Sequence, residues 1–184
     1  MNSRVRPFLY LAPVAFSALA PLGSLAGLGT LVLSGCGGAP AASKAQVSLK
    51  KLAPPARPLT QAGVSEAEGG WRVEATSPGS TPLFEVPVDT SEPTMLIYRA
   101  TLRTEELAAP AYLEMWVRVP GAGEFFSKGL DKKVAGRSEW RTVEIPFFLQ
   151  KGQRADLVRL NVVFEGPGGA LFIRDVEVLK SPLL

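Results

Sequence analysis

The chain reads as an all-β protein, one antiparallel β-sandwich preceded by segments that lie outside the fold. Three observations lead there. From Gly70 onward, short apolar or alternating runs recur, separated by Pro, Gly and acidic turns. Within those runs apolar residues recur every second position, as in a half-buried strand. No stretch shows a long amphipathic helical period.

Seven strands follow in order. Trp71 to Ala75 alternates and is the first. Leu83 to Val88 is the second, and Pro87, which has no N–H for a ladder, places it at an edge. Thr94 to Thr104 is the third, and Glu105 to Ala109 after it is read as one helical turn. Ala111 to Val119 is the fourth, Trp140 to Phe148 the fifth, Leu157 to Glu165 the sixth and Ala170 to Leu179 the seventh. The stretch from Pro120 to Ser138 is read as a long loop. In it, Phe125 and Phe126 either plug one end of the sandwich or form a contact surface.

Period two also sorts side chains between faces. In the third strand Leu96, Tyr98, Ala100 and Leu102 point inward, and Arg99, Thr101 and Arg103 outward. In the fourth Leu113, Met115, Val117 and Val119 form the core side, and Tyr112, Glu114, Trp116 and Arg118 the other. In the sixth Val158, Leu160, Val162 and Phe164 face in, with Arg159, Asn161, Val163 and Glu165 facing out. If the strands share a sheet, Arg99, Arg103, Tyr112, Glu114, Trp116, Arg118, Arg159 and Asn161 pool into one surface. Two readings of that surface stand. Aromatic rings flanked by hydrogen-bonding groups suit a sugar, whose C–H face stacks on a ring while its hydroxyls meet polar groups. The same residues also stabilise a sheet as cross-strand pairs that bind nothing.

The segment before the sandwich is of a different kind. Arg4 and Arg6 make a short positive start, and no charged residue follows from Pro7 to Gly35. That is the pattern of an export signal. The run is long enough to cross a bilayer, but Pro13, Pro21, Gly23, Gly27 and Gly29 break it. It ends at Leu33-Ser34-Gly35-Cys36, with the chain's only cysteine. The tetrapeptide resembles the lipobox of bacterial lipoproteins. The resemblance implies cleavage before Cys36 and acylation of its thiol, so that the chain partners the lipid bilayer. Several acyl chains, at about 0.8 kcal/mol per buried methylene, hold such an anchor stably. Gly37 rather than aspartate after the cysteine implies the outer membrane of the cell envelope, where the organism has one. An uncleaved signal anchor is the alternative.

Domain organisation is then a signal peptide over 1–35, the lipidated cysteine with a flexible linker over 36–63, and the β-sandwich over 64–184. The linker is Gly-, Ala-, Pro- and Lys-rich, too poor in large apolar residues to order itself. Charge follows the same division. Lys44, Lys50, Lys51 and Arg57 give the linker +4, whereas the domain carries all 17 acidic residues against 14 of the 20 basic ones. A domain at −3 has no basic field for nucleic acid.

Composition narrows the chemistry. With no histidine, serine–histidine triads and histidine metal sites are excluded. With its one cysteine acylated, no disulfide or thiol chemistry remains. Paired carboxylates survive this filter, with Glu114 and Glu144 available, but no spacing selects them. The Gly-rich stretches at Gly121–Gly123 and Gly166–Gly169 read as turns, since no helix or P-loop lysine follows.

The order of strings points further. Ala111-Tyr112-Leu113-Glu114-Met115-Trp116 is followed by a Gly-rich stretch. Then come Trp140-Arg141-Thr142-Val143-Glu144-Ile145-Pro146-Phe147-Phe148, Ala155 to Val163, and Gly168-Gly169-Ala170-Leu171-Phe172-Ile173-Arg174-Asp175-Val176. Over about Gly70 to Leu179 this is similar to the galactose-binding-like β-jelly roll shared by many carbohydrate-binding modules. The resemblance implies a jelly-roll sandwich and a non-catalytic, carbohydrate-binding role; the ligand-binding candidates, Tyr112, Glu114, Trp116, Arg118, Asn161 and Arg99, come from the pooled surface read above. It also implies a structural calcium ion beside the last strand's acidic pair. Here Asp175 is kept and Arg174 replaces its partner, which opposes a cation. The alternative function is an envelope scaffolding or assembly lipoprotein that binds another protein.

Overall fold

The computed structural model describes residues 45–90 and 93–183; the expected signal peptide and Cys36 lie outside the described residues. Among the described residues nine strands form: β1 (Val47–Leu52), β2 (Val64–Ala67), β3 (Gly70–Glu74), β4 (Gly79–Pro87), β5 (Thr94–Val119), β6 (Gly123–Lys128), β7 (Val134–Leu149), β8 (Leu157–Phe164) and β9 (Ala170–Pro182). Every pairing is antiparallel. The expected β-sandwich is what these strands build, and from β3 to β9 the chain crosses repeatedly between its two layers in jelly-roll fashion.

The long strand β5 belongs to both layers. Its first half pairs with β7 on one side and β9 on the other. Its second half pairs with β8 and β6. Layer I is therefore β2, β3 and β1 beside β9, then β5 and β7. Layer II is β4, β8, β5 and β6, with β4 as an edge strand, where Pro87 costs no ladder bond. Residues 105–109 are the passage between layers. They stay extended with register shifts on the β7 side, and the expected helical turn is absent there. Glu106 takes a positive φ of 53°. Gly169, itself at φ 82°, lies so close that a Cβ there would come within 2.2 Å of the Glu106 carbonyl oxygen. A glycine is what lets the two backbones meet at this corner.

The core lies between the layers. Leu96, Tyr98, Ala100 and Leu102 of the first half of β5, and Leu113, Met115, Val117 and Val119 of the second, are all buried in it. Val158, Leu160, Val162 and Phe164 join them from β8. Each inward set matches the alternation in the sequence. Tyr98 is wholly buried, and burial pushes its phenol well above the ordinary tyrosine range, so it stays neutral.

Two segments depart from expectation. The domain does not start at Val64. β1 pairs with the second half of β9, Leu52 is buried and Leu49 packs on the core. Past it, Leu59 N–H donates to the Leu83 carbonyl at 2.8 Å. The segment over 45–63 is thus part of the sandwich, because Leu49 and Leu52 find a core even between lysines. With Lys50, Lys51 and Arg57 included, the chain from Val47 carries 17 basic and 17 acidic residues and is neutral, which corrects the −3 expected for a domain starting at Val64. The expected long loop after Val119 is largely ordered. A turn closed by Ala122 N–H to the Val119 carbonyl (3.0 Å) leads into β6, and a short 3-10 turn spans Leu130–Lys132.

Candidate functional site

Four strands supply the outer face of layer II. Register places Trp116 opposite Arg159 and Phe126, and Glu114 opposite Asn161 and Lys128. Arg159 in turn lies opposite Glu85 of β4. Opposed residues in an antiparallel sheet share a face, so these side chains form one surface.

At its centre is a buried carboxylate. Glu114 is 3% exposed, a burial that costs several kcal/mol unless the charge is compensated. Its Oε1 accepts from Ser80 Oγ (2.9 Å), Trp116 Nε1 (2.9 Å) and Asn161 Nδ2 (3.0 Å). Lys128 Nζ stands 3.4 Å from Oε2. Burial pushes the Glu114 carboxyl up, but the hydrogen bonds from Asn161, Trp116 and Ser80 and the charge of Lys128 outweigh it. The group is held below its ordinary range and is ionised at neutral pH.

The chemical effect is to fix Trp116. The indole N–H is spent on Glu114, so the ring is held in one orientation with its flat faces left for other contacts. It is half-buried and meets Phe126 with centroids 5.3 Å apart at 49°, within the usual range for a tilted aromatic pair. Phe126 is 55% exposed. Around this pair the cations are matched. Arg118 makes a two-point contact with Asp156 (2.8 and 3.1 Å), which raises the guanidinium's pKa and holds the Asp156 carboxyl below its ordinary range. Arg159 pairs with Glu85 at 2.9 Å.

The expected site residues separate into groups. Glu114, Trp116, Arg118 and Asn161 share this face, but Glu114 and Asn161 are buried beneath it and hold Trp116 from below. Tyr112 is on the same face yet only 8% exposed, with Lys133 Nζ 5.7 Å from its ring centroid. It is covered and offers no stacking platform. Arg99 and Arg103 lie on the other layer because β5 changes sheets. Arg99 pairs with Glu144 (2.5 Å) and Glu177 (3.5 Å). Arg103 stacks 4.0 Å from the Phe172 ring centroid and pairs with Glu68. The single surface expected from the alternation is therefore two. Sequence reasoning missed Phe126 as a site residue; its place directly across β5 from Trp116 needs the β5–β6 register.

Asp175 is exposed with φ 51°, and Arg174 Nε is 3.5 Å from its Oδ2. Calcium takes six to eight oxygens. One carboxylate beside a guanidinium does not fit it, and among the described residues no three His, Cys, Asp or Glu gather as a metal site. Glu114 and Glu144, the carboxylates available for an acid–base pair, are each committed elsewhere, to Lys128 and its neutral donors and to Arg99 respectively. Among the described residues no helix is long and apolar enough to cross a membrane.

No protein-family model matches the chain, and no curated protein matches it. Solved structures do resemble it. One described as Family 16 Carbohydrate Binding Module-2 is 9% identical, with 63% of this chain and 84% of that chain covered and a TM-score of 0.44. The structure of infectious bursal disease virus Gt strain is 10% identical, covering 68% of this chain and 38% of that one at a TM-score of 0.42. The xylan-binding module CBM15 is 14% identical, covering 76% and 97% at a TM-score of 0.40. These are likenesses of fold, shared by sugar-binding modules and a virus alike, and fold does not fix function.

Proposed function

We propose that the chain is a non-catalytic binding module for carbohydrate, lipid-anchored at Cys36 to the bacterial cell envelope. The observation that carries the reading is Trp116. Its ring is locked by the Nε1 bond to buried Glu114 and sits beside exposed Phe126. A prefixed aromatic platform loses little entropy when a ligand stacks on it. Sugars present flat C–H surfaces that suit such a ring, and Arg118 and Arg159 at its margins supply donors for hydroxyls. The carboxylates of this face are engaged with cations, which suits binding and leaves no free acid–base pair.

The test uses the full chain in detergent on a glycan array, with Trp116→Ala and Trp116→Phe beside it. Trp116→Ala should weaken glycan binding at least about tenfold, while Trp116→Phe, which keeps a ring but loses the N–H, retains part of it. Unchanged glycan affinity in a folded Trp116→Ala protein overturns the reading. The anchor is tested separately: fatty-acid labelling in cells should be lost in Cys36→Ser.

A second reading is a docking surface for an envelope protein. It is favoured by the exposure of Phe125 and Leu130 on and just after β6. Crosslinking in intact cells distinguishes it. One protein neighbour, retained after glycan removal, supports docking.

A further inference from the structure

We propose that the ligand is an uncharged glycan chain, and that its site continues from Trp116 around the edge of β6 into a cleft between β6 and β7. This rests on the carbohydrate reading above and adds a location and a ligand class to it.

The cleft has a volume of about 560 Å³ and is lined by Phe126, Lys128, Asp131, Pro146 and Phe148 among others, a size typical of ligand sites. Among the described residues β6 and β7 each pair only with β5, so the cleft lies between two strand edges that no third strand covers. These edges are bridged by Ser127 Oγ, which donates to the Pro146 carbonyl at 2.6 Å. Lys132 Nζ donates to the Glu144 carbonyl at 2.6 Å. Side chains thus occupy two β7 carbonyls that an added strand would need, which disfavours a peptide laid along this edge. Phe126 and Phe148 are 55% and 51% exposed. Phe126 touches Trp116 on one side and lines the cleft on the other, so it joins the two surfaces. A second hollow of about 190 Å³ shares Lys132, Glu144 and Pro146 with the cleft and reaches Gln46. The combined shape is a run of aromatic and polar positions, which fits a chain of sugars better than one ring.

Charge decides the class. Lys128 is offset by Glu114, Arg118 by Asp156, Arg159 by Glu85 and Lys133 by Glu165. In the cleft Glu144 is offset by Arg99, leaving Lys132 beside Asp131. An acidic polysaccharide needs surplus cations, and among the described residues lining the cleft Lys128 and Lys132 are matched in number by Asp131 and Glu144.

The experiment is calorimetry on the full chain in detergent, using uncharged oligosaccharides of short and long chain and acidic ones of equal length. Wild type, Trp116→Ala and Phe148→Ala are compared, each checked for an unchanged thermal midpoint. Phe148→Ala should weaken long uncharged chains about tenfold, leave short ones unchanged, and show little salt dependence. Equal affinity of Phe148→Ala and wild type for long chains, with Trp116→Ala impaired, overturns the cleft and leaves the carbohydrate reading standing. Preference for acidic chains, falling with salt, overturns the charge argument. Wild-type failure on every glycan overturns both.

Discussion

The two halves of β5 obey the same alternation and solve the problem of outward charge differently. In layer I, Arg99 is partly exposed and meets Glu144 and Glu177 from flanking strands, and Arg103 lies over Phe172. In layer II, Glu114 is sunk into the sheet and surrounded by Ser80, Trp116, Asn161 and Lys128. The first arrangement leaves Arg99 and Glu144 partly in water, where a pair contributes little net stability. The second removes the ion from water, so its partners are obligatory. Position on a strand tells which face a charge takes; its neighbours decide whether that charge is incidental or structural.

The largest expected effect follows from this contrast. Glu114→Ala leaves Lys128 and three donors without their acceptor and should cost about 3–5 kcal/mol in urea unfolding, whereas Arg99→Ala should cost about 1 kcal/mol or less. Similar losses at the two sites would erase the distinction between the layers.

Acid sharpens it next. The folded-state pKa of Glu114 is lowered from its ordinary value of 4.5. Its contribution is therefore full above that value and lost as pH falls through the folded-state pKa, where the native carboxylate takes up its proton. The stability gap between wild type and Glu114→Gln should be constant near neutrality and narrow below about pH 4.5. A gap that widened in acid would mean the group folds neutral. Arg103→Ala should come next, at about 0.5–1 kcal/mol for its stacking. Arg118→Ala, at a half-exposed pair, should shift the unfolding midpoint least, and any shift should vanish in high salt.

Much of this was legible in the chain. The inward residues of β5 and β8 followed from period two, and Pro87 marked the β4 edge. What was hidden has physical reasons. β1 carries Lys50-Lys51 in a Pro-rich neighbourhood, and its pairing partner lies at the far end of the sequence. β6 is short and begins at Gly123 in a Gly-rich stretch, so Phe126 read as loop. The passage at Glu106 has no glycine of its own, since the glycine that permits it is Gly169. The burial of Glu114 depends on residues from three other strands, and nothing local to Glu114 announces them.

The participation of β1 in the sheet also sets a reach. Were Cys36 the anchor proposed above, ten residues would separate it from Val47, and at most ~3.3–3.6 Å per residue they could reach roughly 35–40 Å. A tether running to residue 63 would extend more than twice as far. By drawing the intervening segment into the sandwich, β1 shortens the radius within which an anchored domain can search. It would sample material lying against the membrane surface and leave more distant layers to other molecules.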